Sequence, residues 1–109
     1  MIKKYFLLLL AAILLTGVHG QNRQVDLSQN IPLQDILKKA KKQKKHVLLD
    51  FGSPRCSPCL FIKNKIFTID SVADFINERF VSVDYTEGPE KKRLSKIYEV
   101  YTEPVLLIC

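Results

Sequence analysis

Cys56 and Cys59 stand C-x-x-C in the run Cys56-Ser57-Pro58-Cys59, just after the apolar segment Val47-Leu48-Leu49-Asp50-Phe51 and the turn residues Gly52-Ser53-Pro54. Two thiols at that spacing on the first turn of a helix can close a small ring, and the unpaired amides there stabilise negative charge on the first sulfur. Cys56 is therefore expected to be the more acidic, attacking thiol, and Cys59, one turn inside, the more buried resolving thiol. Pro58 presets a helical φ where its missing N–H costs nothing. The same spacing also occurs in metal sites and in plain structural disulfides. Zinc takes about four N or S ligands, and beyond this pair the chain offers only Cys109, His46 and His19; no metal is expected. A structural disulfide across so short a ring constrains little of the unfolded chain. Dithiol–disulfide exchange, which needs no cofactor, suits the pair best.

The elements around the pair follow from apolar spacing. Val47 to Phe51 is an apolar run rich in Val and Leu, the pattern of a buried strand. Before it, Leu33, Ile36, Leu37 and Ala40 fall at i, i+3, i+4 and i+7, a helix with one buried face and Pro32 in its first turn. After the cysteines, Leu60 to Phe67 is apolar enough to continue as a helix, and Thr68 to Ser71 interrupts it. Asp70 or Ser71 can cap a further helical piece in which Val72, Phe75 and Ile76 share a face. Phe80 to Tyr85 alternates as a strand does, and Thr86-Glu87-Gly88-Pro89 is a turn. Leu94, Ile97, Tyr98 and Tyr101 return to helical spacing, Thr102-Glu103-Pro104 breaks it, and Val105 to Ile108 is a last strand.

A chain of 109 residues holds one domain at most. Its start, Met1-Ile2-Lys3-Lys4 followed by apolar residues and a small-residue region ending at Gly20, reads as a secretory signal peptide over 1–20, with Gln21 as the first mature residue. Tyr5 to Val18 is 14 residues, short of the roughly 20 that span a bilayer. Residues 21–31 are polar, a tether or weak edge strand, and 32–109 form the domain. Export places the dithiol in an oxidising, periplasmic setting, where it can cycle against other disulfides. Cys109, at the end of an apolar strand, is expected to be a small core residue. The net charge of +6 is concentrated in Lys38-Lys39, Lys41-Lys42 and Lys44-Lys45 at a helix end. Without interleaved aromatics or a recognised motif this is a solvated face, and no nucleic acid is expected as partner.

Asp50-Phe51, Cys56-Ser57-Pro58-Cys59 and Thr102-Glu103-Pro104 before an apolar strand together resemble the thioredoxin superfamily. More narrowly, the stretch from Val47 to Cys59 and those from Phe67 to Gly88 and Lys96 to Ile108 resemble exported thioredoxin-like domains, such as the one in the periplasmic transmembrane disulfide reductase. The resemblance covers about Leu33 to Ile108. It implies an α/β fold with a central mixed sheet and flanking helices, acting on protein disulfides or dithiols and re-reduced by a membrane electron donor. It places Asp50 at the position of the buried acid that serves the resolving thiol, its pKa raised by burial. It places Pro104 at the family's cis-proline, which presents the preceding backbone to substrate.

The family plan continues with one more strand and a C-terminal helix, so the domain is read as C-terminally incomplete, with an open edge at Val105 to Cys109. Other departures bear on substrate. Arg55 replaces a tryptophan before the first cysteine, and it can stabilise the Cys56 thiolate or bind an acidic substrate. Glu103, before Pro104, brings a negative charge towards the sulfurs and raises the Cys56 pKa if close. The competing reading is a non-catalytic or truncated thioredoxin-like module that binds a partner by strand addition.

Overall fold

The computed structural model describes residues 23–109. The expected signal peptide lies outside the described residues. Within them a four-stranded sheet runs in the order β1 (Leu27–Gln29), β3 (Phe80–Tyr85), β2 (His46–Phe51), β4 (Val105–Ile108). The strands β1, β3 and β2 are parallel, and β4 is antiparallel to β2. Parallel neighbours need crossovers, supplied by α1 (Leu33–Gln43) and by the helical segment that begins at the cysteines. That segment is α2 (Ser57–Phe61), a π-helical turn (Ile62–Ile66) and α3 (Asp70–Arg79). A fourth helix, α4 (Pro89–Ile97), precedes β4.

The two sheet faces have different cores. Val47, Leu49 and Phe51 of β2 and Val81, Val83 and Tyr85 of β3 point to one face, where Leu33, Ile36, Ala40 and Leu94 cover them. This is the main core. The alternate positions Leu48, Asp50, Ser82 and Asp84 are also buried. On the side of the cysteine-bearing helical segment, Val25, Phe67 and Ala73 form a second cluster, with Ile62, Ile66, Val72 and Ile76 packed on it. Burial on both faces explains why β2 is apolar at Val47, Leu48, Leu49 and Phe51, and it makes Asp50 an exception that requires a reason.

Several expectations on helix faces are corrected. Leu37 is 44% exposed and Phe75 52% exposed; the inward stripes are the buried Leu33, Ile36 and Ala40 on α1 and, on α3, the buried Ala73 with the partly buried Val72 and Ile76. Phe75 is instead stacked under the Arg79 guanidinium, 4.2 Å from the ring centroid. On α4 only Leu94 is buried, while Ile97, Tyr98 and Tyr101 are exposed. The helix stops at Ile97, so the helical spacing that extends to Tyr101 runs into a loop. Pro32 occupies the cap of α1 instead of its first turn. The cap of α3 is Ile69, without a side-chain bond, and Asp70 complements the dipole from the first turn. Cys109 is exposed, its backbone paired with Val47 and its Sγ 4.0 Å from the Tyr98 hydroxyl.

Turns at the carboxyl ends of the parallel strands are tied together. Asn30 adopts φ 53° and its Oδ1 accepts the N–H groups of Thr86 and Glu87 at 3.0 and 3.3 Å. The Tyr85 hydroxyl donates to the Ile31 carbonyl at 2.7 Å, and burial pushes its pKa up to about 12. This fixes the ends of β1 and β3 beside the cysteine loop, whose Gly52 N–H donates to the Tyr85 carbonyl at 3.0 Å.

Candidate functional site: a half-buried dithiol between two cavities

Cys56 and Cys59 form a disulfide with an S–S distance of 2.00 Å. Cys56 caps α2, and its Sγ accepts the Cys59 N–H at 3.2 Å, with Pro58 in the first turn. The amide that would stabilise a Cys56 thiolate is therefore already directed at its sulfur. Both cysteines are partly exposed. The expected contrast, with Cys59 the more buried, takes another form: the two residues line different cavities.

Cys56 lies in an outer groove of about 550 Å³ with Ser53, Arg55, Pro58, Tyr101 and Glu103. Cys59 lies in a smaller cavity of about 200 Å³ with Asp50, Gly52, Lys63 and Asp84. Gly52 keeps the space beneath Cys59 open, because a Cβ there would stand 3.1 Å from Cys59 Sγ and 3.2 Å from its Cβ. The outer sulfur thus faces an open groove, and the inner one faces ionisable groups.

Asp50 is 5% exposed. Its pKa is pushed up to about 6, by burial first and by the neighbouring Asp84 second, with Lys63 opposing. Asp50 and Asp84 are register partners on β2 and β3, so both carboxyls leave the sheet on the same face. Asp84 is held by Lys63, whose Nζ donates to Asp84 Oδ2 at 3.0 Å. Of the two neighbouring acids, Asp84 is the one with an ion-pair partner, and Asp50 is the one whose ionisation burial opposes. Neither Asp84 nor Lys63 was marked by local sequence. Asp84 has a faint signal as a polar residue on the alternate face of an apolar strand; Lys63 reaches it only through the fold.

On the outer side, the Glu103 carboxylate and the two sulfurs lie within 4.8 Å of one another. Lys91 Nζ donates to Glu103 Oε1 at 2.6 Å and, together with Ser53, holds the Glu103 carboxyl below its usual range. The expected negative charge beside the dithiol is present, but Lys91 neutralises much of it. Arg55 borders the same groove. The Glu103–Pro104 peptide bond is cis, and Pro104 is half-buried at the entry to β4. All six residues singled out from sequence are accounted for: Cys56, Arg55 and Glu103 around the groove, Cys59 and Asp50 around the inner cavity, and Pro104 at the base of the loop.

A parallel β-α-β core, an antiparallel strand entered through a proline, and a disulfide at the start of the crossover helix define a thioredoxin-like fold with a C-x-x-C site. The thioredoxin-like domain family matches residues 33–109, and the chain belongs to it. Among solved structures it is similar to a putative disulphide-isomerase from Bacteroides thetaiotaomicron, at 28% identity and TM-score 0.70, over 82% of this chain and 74% of that one. A thioredoxin from Thermus thermophilus matches with TM-score 0.64 and 23% identity, over 75% of this chain and 63% of that chain, less than two thirds of its length. An oxidoreductase named DsbH matches with TM-score 0.57 and 21% identity, over 78% of this chain and 67% of that chain. At those identities the last two speak for the fold alone. No curated protein sequence matches the chain.

Proposed function

We propose that this chain is an exported thiol–disulfide oxidoreductase that reduces protein disulfides through Cys56 and Cys59. The observation that carries the reading is the division of the dithiol between an outer groove at Cys56 and an inner cavity where Cys59 meets Asp50. The Cys56 thiolate attacks one sulfur of a substrate disulfide, forming a mixed disulfide and releasing the other substrate sulfur as a thiolate that takes up a proton. Cys59 then gives its proton to the Asp50 carboxylate, directly or through a water that the cavity has room for. The Cys59 thiolate attacks Cys56 Sγ, the second substrate thiolate leaves, and two electrons have passed from the dithiol to the substrate. Pro104 and the backbone before it support the extended substrate beside Cys56.

The secretory pattern of residues 1–20 supports a periplasmic location. There a membrane dithiol donor returns the Cys56–Cys59 disulfide to the reduced state. Ser57-Pro58 between the cysteines favours the reducing direction. Stopped-flow reduction of a model protein disulfide by the pre-reduced chain tests the proposal. Wild type is expected to turn over; Cys56→Ser is expected to be inert and Cys59→Ser to stop at the mixed disulfide. Full turnover by Cys56→Ser would overturn it.

A further inference from the structure

The outer groove does not end at the disulfide. It shares Ser95, Val100 and Tyr101 with a second hollow of about 390 Å³, which Lys91, Lys92 and Lys96 also line. Tyr101 is 83% exposed on the shared wall, a flat apolar face with no covering neighbour among the described residues. Lys92 and Lys96 are one turn apart on α4, so their ammonium groups rise on the same side. Lys91 is bound to Glu103. Among the described residues Arg55, Lys92 and Lys96 have no acidic partner. The continuous surface is therefore cationic at Arg55, apolar across Val100 and Tyr101, and cationic again on α4. Glu103, the one acid on its wall, is already neutralised.

We propose that this surface is the substrate-selecting groove and that its occupant is an extended, acidic segment of the substrate protein. The segment's reactive cysteine lies at Cys56, an apolar or aromatic side chain rests on Tyr101, and acidic residues on either side meet Arg55 and the Lys92–Lys96 pair. Charge complementarity carries the choice of occupant: each cationic end lacks a partner within the chain and gains one from a carboxylate. This assignment rests on the exchange reading of Cys56 and adds the class of substrate to it.

The test uses two synthetic peptides, each carrying one cysteine as a mixed disulfide, identical except that the residues flanking it are acidic in one and lysine in the other. The reduced chain is expected to react with the acidic peptide about tenfold faster in kcat/KM, the size that three exposed charge contacts together give. The ratio is expected to fall towards one in Lys92→Glu/Lys96→Glu, and in about 1 M salt, where screening acts within roughly 3 Å. Equal rates in wild type, or a ratio unchanged in the double variant, would overturn the groove. An uncharged small disulfide separates the two levels of the account: reaction with it, but no discrimination between peptides, overturns the groove alone. Absence of reaction with every disulfide overturns the exchange reading. The groove is then judged by fluorescence anisotropy of a cysteine-free acidic peptide on the oxidised chain, where binding no tighter than that of the lysine peptide overturns it. Equally tight binding of a single-stranded oligonucleotide would also overturn it, since the surface would then select charge and not a peptide.

Discussion

Asp50 is an acid that the fold makes costly to ionise, and that cost has a measurable sign. Its pKa rises from 3.8 to about 6 on folding. Between those values the folded chain holds a proton that the unfolded chain has released, so stability is lost as pH rises through this window. Asp50→Asn removes the penalty. The variant is expected to be more stable than wild type above pH 6, by on the order of 3 kcal/mol at full ionisation, and no different below the unfolded value. Urea melts at acid and alkaline pH measure this; equal stability at pH 8 would contradict it. The same substitution is expected to slow resolution of the mixed disulfide about 10²-fold and to flatten its rise through pH 6. Lys63 pairs with Asp84 and also acts on Asp50 by its own charge. Its charge lowers the Asp50 pKa, so Lys63→Met is expected to move the pH profile of resolution upward, and Lys63→Arg to restore it. A profile that stays in place in Lys63→Met would separate Lys63 from the site. At this scale the sequence exposed what is local and concealed what is paired across the fold. Cys56, Cys59 and Pro58 lie within one turn and announce themselves. Asp84 meets Asp50 only through strand register, and Lys63 meets Asp84 only because the helix after the cysteines crosses that face.

The elements around the site are held by few but specific contacts. Tyr85 closes the main core against Phe51, with ring centroids 5.6 Å apart, and ties β3 to the segment before α1 through its bond to Ile31. Tyr85→Phe is expected to cost about 1 kcal/mol, the worth of one buried hydrogen bond that leaves a carbonyl unpaired. Chemical denaturation checks it, and an unchanged midpoint would contradict it. Gly52→Ala would crowd Cys59 directly, and it is expected to destabilise the oxidised chain by about 1–3 kcal/mol, as overpacking does. Strand and helix order was legible because β2 and β3 are short, rich in apolar residues and buried, and because Pro32, Gly88-Pro89 and Pro104 punctuate the chain. Helix faces were less so. Apolar spacing cannot tell a residue that packs on the sheet from one that lies just beyond the helix end. Tyr101 illustrates this, since its ring borders the groove and no core. The π-helical turn at Ile62–Ile66 was not legible either. No glycine or proline marks it, and its Ile62 and Ile66 pack with Phe67 on the second cluster.

At the scale of the molecule, the sheet places the dithiol at the carboxyl end of a parallel strand, between a basic groove and an acid-bearing cavity. The family match reaches Cys109. The edge strand β4 presents Leu106 and Ile108 outward, and the matches span 63% to 74% of the Thermus thermophilus and Bacteroides thetaiotaomicron proteins. The domain-level reading from sequence, an α/β fold built around C-x-x-C, rested on the one feature that needs no tertiary information, a reactive pair directly after a buried strand. The direction of electron flow is set by the relative stability of the dithiol and disulfide forms, on which the Ser57-Pro58 pair between the cysteines bears most directly. The central claim is that Cys56 and Cys59 are one reversibly cycling dithiol. Equilibration of the full chain in buffers of graded thiol–disulfide potential, followed by thiol trapping, tests it most directly. A single two-electron transition is expected, changing tenfold in ratio per roughly 30 mV, at a reducing potential, and abolished by Cys56→Ser. A pair that stays oxidised or reduced across the whole range, or a transition that survives Cys56→Ser, would contradict it.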